Sequence, residues 1–394
     1  MFYLIIFLVL SVLACLQLHF SDQRSTRIII ALAALIMIAV AGLRFETGGD
    51  WDTYTAIFNA VPSLSRGWLT HPLITHRHIG VAFVALCSLV KTCGGSIQTL
   101  FFIVSAVNIS LIALALPKYT RYPVLGLLAY YCLLFFSLEM IYIRQATAVS
   151  LCFFALQYMD SKRLVPYMLL VTLASLFHVS AIVMVPLYWI LPRRIPTWAY
   201  VVSIGIGAVV MLIGYPWITK VFLSVSSWLG DAYYQRALIY TSSSRFAVER
   251  VLSVGFVLNL LLMMVFLTVK QHVDAKRYGT IHLNMFAMSL VLYYYCYELV
   301  EVSNRFRLFF LIGLIVLLPI YLEYFEQELT RYVTLIPIAL YFFLFSSAIF
   351  LEKPGAIAYN PYQNYLEYRH KPGSSRGKQR LEQSHKLFDQ SRKR

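Results

Sequence analysis

The chain has 394 residues, of which 60% are hydrophobic and 13% charged, with a formal net charge of +15. Soluble domains carry about 25% charged residues, so this composition excludes a soluble enzyme. The basic residues are dispersed through short loops and a tail without a soluble binding fold, which speaks against a nucleic-acid partner.

Apolar runs long enough to cross a bilayer recur along the chain, and they are continuous rather than alternating. Since lipid cannot satisfy backbone groups, they read as helices and not as barrel strands. The expected fold is an all-α polytopic membrane protein of about 12 spans, in the range of about 10 to 13. These fall at roughly 2–19, 27–43, 97–116, 122–138, 142–159, 164–177, 179–192, 197–216, 251–269, 281–299, 306–322 and 332–351. The bundle then occupies residues 1–351, with long polar loops at about 44–96 and 217–250. The first run, Met1 to Leu18, has no basic leading region or small-residue cleavage site and reads as a retained span.

After the second span the apolar run stops at Leu43–Tyr54, LRFETGGDWDTY, which delivers Arg44, two glycines, three carboxylates and three aromatics. Ile79–Val90 is apolar but too short to span, and reads as a re-entrant or interfacial helix. If it does not cross, alternate loops collect Arg24 and Arg27, Lys118 and Arg121, Lys162 and Arg163, Arg193 and Arg194, and Lys270, Lys276 and Arg277. The positive-inside bias makes those loops cytoplasmic. The opposite ends then hold Arg44–Tyr54, Glu139–Arg144, the Phe177–Ser180 turn, the Trp217–Arg250 loop and Glu298–Arg307. The same alternation places the tail from Glu352 outside, although its basic character favours the cytoplasm. Residues 352–394 are Ser-, Gln-, Lys- and Arg-rich, and composition predicts a largely disordered basic tail.

Several outward residues suit anion chemistry. Arg44, Arg144 and Arg305 offer planar forks that match phosphate. Each also has a structural reading: a helix end, an ion pair of Arg144 with Glu139, and an i,i+4 pair of Arg305 with Glu301. His178, with Ser180 beside it, either packs as a hydrogen-bonded core residue or relays a proton near neutral pH. Aromatics interleaved with polar groups in the 217–250 loop, including Arg245 and Arg250, suit either a sugar surface or interfacial anchoring. No Walker loop, dinucleotide fingerprint or zinc motif is present, and Cys15, Cys87, Cys93, Cys132, Cys152 and Cys296 lack metal spacing, so neither metal nor cofactor is expected.

The ordered set of Arg44, Gly49, Asp50 and Tyr54, then IRQATA at 143–148, FHVS at 177–180, NRF at 304–306 and PYQNYL at 361–366 resembles the EpsG family of Wzy-like polysaccharide polymerases. Trp51 stands where tyrosine is commoner in that motif. The resemblance implies a GT-C-like bundle with interfacial periplasmic helices in the bacterial inner membrane. It implies an O-antigen, capsule or exopolysaccharide polymerase moving a glycan from undecaprenyl diphosphate onto a lipid-linked repeat unit at the periplasmic face. A chain-length regulator and a flippase of the same pathway are the implied partners, besides membrane lipid. Arg44, Arg144 and Arg305 would then neutralise the diphosphate. Asp50 or His178 would be the base, with Asp50 preferred and His178 holding diphosphate or acceptor. Tyr54, Glu139, Arg245, Arg250 and Tyr362 would contact glycan. A transferase adding one sugar and a lipid-linked glycan flippase are the competing readings. Whether Arg44 touches diphosphate or pairs with Asp50 stays open.

Overall fold

A computed structural model describes residues 1–20, 22–64, 72–75, 79–242, 254–351, 353–370 and 375–391, and among these it is helical, with one isolated antiparallel bridge, Arg44 to Asn364. The first half holds α1 (Phe2–His19), α2 (Gln23–Gly42), α3 (Trp51–Ala60), α4 (Val81–Thr92), α5 (Ile97–Tyr119), α6 (Pro123–Leu138), α7 (Ile143–Ala155) and α8 (Leu164–Phe177). The second half holds α9 (Met184–Ile190), α10 (Thr197–Ile213), α11 (Trp217–Leu229), α12 (Asp231–Ser242), α13 (Val254–Thr268), α14 (Gly279–Tyr295), α15 (Val300–Leu311) and α16 (Leu314–Glu323). Three more follow: α17 (Glu328–Leu351), α18 (Lys353–Tyr359) and α19 (Gly377–Ser391).

Local chemistry explains where helices start. Asp22 caps α2 by accepting from the Ser25 amide at 2.9 Å, and Ser96 with Thr99 forms a capping box on α5. Helix α1 is apolar all round. Tyr3, Leu10, Leu13, Ala14 and Gln17 face inward, while Leu4, Ile5, Leu8, Val12 and Leu16 are exposed, as a helix facing hydrocarbon requires.

Among the described residues, four helices are long and apolar enough to cross a membrane: Phe2–His19, Gln23–Gly42, Ile97–Tyr119 and Val302–Glu323. A fifth is added if Thr197–Ile213 and Trp217–Leu229, bent by 94°, are one span. Other apolar stretches form shorter or broken helices. Helix α6 is interrupted by a π turn at Tyr131–Phe135, and the stretches on either side of His178 form a hairpin in which the Tyr167 hydroxyl donates to the Met184 carbonyl at 2.6 Å. The structure therefore supports a helical protein with several apolar helices, while a count of about 12 rests on hydropathy alone.

Helix α4 is about 18 Å long at 1.5 Å per residue, too short to cross. The two ends of the segment around it also meet: Gln98, in the first turn of α5, donates to the carbonyl of Gly42, the last residue of α2. The chain between 43 and 96 thus returns to the end of the bundle that it left.

The basic loops gather at the other end. Glu323 accepts from the Thr120 hydroxyl at 2.9 Å and from Lys276 at 2.6 Å. Arg277 pairs with Asp160 at 2.6 Å, and Arg194 donates to the Asp274 carbonyl at 3.1 Å.

The tail departs from the composition-based expectation. Residues 353–359 and 377–391 are helical, and α19 packs on α18. Leu381 and Ser384 are buried, so one face of this polar helix has a surface to dock on. Its partners Glu46 and Gly49 also place the tail at the Arg44 end of the bundle.

Candidate active site

The site begins where α2 ends. The segment after Gly42 is held by backbone pairing to the chain before residue 366. The Phe45 amide donates to Gln363 at 2.8 Å, the Gly48 amide to Ala358 at 3.1 Å, and the Tyr365 amide to Leu43 at 2.7 Å. Gly48 has φ +99°, and a Cβ there would lie 2.6 Å from the Met140 carbonyl. Only glycine brings this turn against the turn at 139–142.

Asp50 is the N-terminal residue before α3, yet its side chain makes no capping bond. It is half-buried and lies in the field of Asp52, His385, Arg305 and Arg144. Burial first, and then the Asp52 charge, push its carboxyl above the usual range, against the pull of His385 and the two arginines.

Arg144 sits in the first turn of α7, the positive end of the helix dipole. A cation there is disfavoured unless an anion joins it, and an anion would gain from both the guanidinium and the exposed helix amides. Its Nε is buried without a hydrogen-bond partner, while the residue as a whole is half-exposed. Tyr54, 3% exposed, presents its hydroxyl to Arg144 and its ring edge to Phe83 at 5.8 Å. The Arg305 guanidinium lies 5.7 Å from the Tyr142 ring centroid, and its backbone carbonyl accepts from the Gln145 amide.

His178 joins the group at the tip of the α8–α9 hairpin, with Nδ1 2.6 Å from the Ser180 hydroxyl. Burial first, and then Arg144 and Arg305, push its pKa down to about 4. The imidazole is neutral at neutral pH. Gly80 underlies this tip, since a Cβ there would stand 2.3 Å from the Phe177 carbonyl.

Asp50, Tyr54, Arg144, His178 and Arg305 therefore meet, although they come from four separate stretches of chain. Other expected site residues are placed differently. Arg44 is 0% exposed, with its guanidinium 4.6 Å from the Phe101 ring centroid and, among the described residues, none of its three nitrogens hydrogen-bonded. It neither opens to the site nor pairs with Asp50. Glu139, 1% exposed, accepts from the Tyr130 hydroxyl at 2.6 Å and the Asn108 amide at 3.3 Å, so it faces inward and away from Arg144. The Tyr362 ring stacks on Phe2 at 4.1 Å and its hydroxyl donates to the Val40 carbonyl at 3.0 Å. Glu298 accepts from the Ile218 and Thr219 amides at 3.1 and 3.2 Å, which makes it a cap for α11. Arg245 and Arg250 lie outside the described residues, as does the side chain of Glu301.

Sequence reasoning missed Gln145, although it lies inside the IRQATA motif, because nothing local says what its amide meets. It also missed His385, whose Nε2 donates to the Gly49 carbonyl at 2.8 Å. Among the described residues no His, Cys, Asp and Glu group could hold a metal ion.

The fold and site define a helical membrane protein that gathers arginines and a carboxylate at one end of its bundle. The chain belongs to the EpsG family, whose sequence profile matches residues 27–364, a family of Wzy-like polysaccharide polymerases and glycosyltransferases. Membership gives it a polysaccharide polymerase-like glycosyltransferase role. Neither a curated protein nor a solved structure matches the chain.

Proposed function

We propose that this protein is a bacterial polysaccharide polymerase working at the periplasmic face of the inner membrane. It moves a growing glycan from undecaprenyl diphosphate onto the hydroxyl of a second lipid-linked repeat unit. Breaking the bond between the sugar C1 and the diphosphate oxygen leaves charge on the diphosphate. Arg144 and Arg305, with the N-terminus of α7, neutralise it in a partly dehydrated setting where such contacts count most. The acceptor hydroxyl gives its proton to Asp50 as it attacks C1. Asp50 is the better base because its affinity for a proton is raised, whereas that of His178 is lowered. His178 and Tyr54 orient diphosphate or acceptor through neutral hydrogen bonds. Flippase and chain-length regulator are the proposed pathway partners.

The observation that carries this reading is the half-exposed Asp50 facing Arg144 and Arg305 across the turn built by Gly48. Purified protein given synthetic lipid-linked repeat units, with chelator and without nucleotide sugar, is expected to build a ladder of repeats. Asp50→Asn and Arg144→Ala are expected to lose it, by about 10²-fold or more. A single added unit would make it a single-addition transferase. Intact ladders from both variants would overturn the site assignment.

A further inference from the structure

The family match ends at residue 364, and α19 lies beyond it. Yet this helix reaches the turn that carries Asp50. It is fixed at its start by three polar anchors. The Ser375 hydroxyl and the Lys378 amide, the latter at 3.3 Å, both donate to the Glu46 carboxylate. Arg380 donates to the Pro361 carbonyl and to Gln363 Oε1, each at 2.9 Å. Gly377 lies so close that a Cβ would stand 2.2 Å from that of Glu46. Leu381 and Ser384 continue the inward face, while Lys378, Glu382 and Lys386 point outward.

This seating delivers His385 to the turn that carries Asp50. A carbonyl can only accept, so the 2.8 Å contact to Gly49 requires a proton on Nε2. Nδ1 then faces Asp52 Oδ2 at 3.8 Å. One imidazole thus spans the turn from the residue before Asp50 to the second residue after it.

We infer that the C-terminal helix is a working part of the site, and that His385 is a positioning residue that clamps the Gly49–Asp52 turn and holds Asp50 opposite Arg144 and Arg305. This rests on the proposed role of Asp50. Small geometric errors at a reacting group cost rate more than affinity, so the clamp should act on turnover.

The test compares His385→Gln, whose amide nitrogen takes the place of Nε2, with His385→Asn, whose amide takes the place of Nδ1, in the full-length protein acting on synthetic lipid-linked repeat units. His385→Gln is expected within about threefold of the parent, and His385→Asn and His385→Ala about tenfold or more lower in kcat with acceptor KM little changed. Equal kcat for the Gln and Asn variants overturns the clamp, as does parental kcat in His385→Ala while Asp50→Asn is inactive. Full activity in Asp50→Asn would instead remove the reading of the site, a result that the His385 variants cannot imitate.

Discussion

Asp50 is the residue at which opposing fields meet, and its titration is therefore open to manipulation. Asp52 and burial favour the protonated form, while Arg144, Arg305 and His385 favour the carboxylate. As the proposed base, Asp50 must be deprotonated to act, so activity is expected to fall as pH falls through its pKa. Removing the neighbouring negative charge with Asp52→Asn lowers that pKa, and the acid limb of the kcat/KM profile is expected to move to lower pH. The two buried and half-buried arginines separate by a different readout. Arg144→Ala should remove activity while leaving thermal unfolding in detergent near that of the parent. Arg44→Ala should lower both, by roughly 3 kcal/mol in stability, because it empties a buried site beside Phe101 and leaves the buried Glu139 without a nearby cation. Its guanidinium underlies the Gly48 turn, 2.9 Å from where a Cβ at Gly48 would lie, so it supports the loop.

At the scale of elements, the site depends on two distant stretches closing on each other: the turn after α2 and the chain before residue 366. Their backbone pairing explains why the PYQNYL stretch accompanies the Arg44 stretch in the motif set, and it reassigns Tyr362. With its ring stacked on Phe2 and its hydroxyl spent on Val40, Tyr362 is a brace. Tyr362→Phe is expected to retain polymer ladders and lose about 1 kcal/mol, the value of one hydrogen bond, whereas Tyr362→Ala, which also removes the stack, should lose ladder length and yield. Much of this element-scale picture was legible. Runs of apolar residues located most of the helices, and Ile79–Val90, too short to span, is matched by the 12-residue helix Val81–Thr92. Asp50, Arg144, His178 and Arg305 stand out in the sequence because charged or ionisable groups at helix ends need a reason, and the fold brings them together; their roles are proposals. Glu139 and Glu298 carried the same signal with another cause. One is satisfied by Tyr130 and Asn108 from inside the bundle, and the other by two helix amides, and no local pattern distinguishes those partners from a sugar. The tail follows the same logic. Low apolar content predicts disorder only when nothing else pays the ordering entropy, and here Glu46 and Gln363 do so from over three hundred and from twelve or more residues away.

For the whole molecule, the two ends of the bundle carry opposite chemistry, and the positive-inside bias assigns their sides. On the proposed orientation, the end with Lys118, Arg121, Arg163, Arg194, Lys276 and Arg277 is the cytoplasmic one, and the end with Asp50 and Arg144 is the one proposed to face the periplasm. The basic tail would oppose that assignment if it floated freely. Docked on Glu46 and Gly49, it is tied to the Asp50 end whichever side that is, so it has no independent vote. Labelling can check this directly, because Cys93 is exposed in the turn between α4 and α5. In intact cells whose outer envelope admits a membrane-impermeant thiol reagent, Cys93 is expected to react. In a Cys93→Ser background, Gln383→Cys on the outward face of α19 should also react, and Ser161→Cys in the basic loop after α7 should react only once the inner membrane is opened. Labelling of Ser161→Cys in closed cells would invert the molecule. Labelling of Cys93 without Gln383→Cys would instead detach the tail from the site, and with it the physical basis for a clamp at His385.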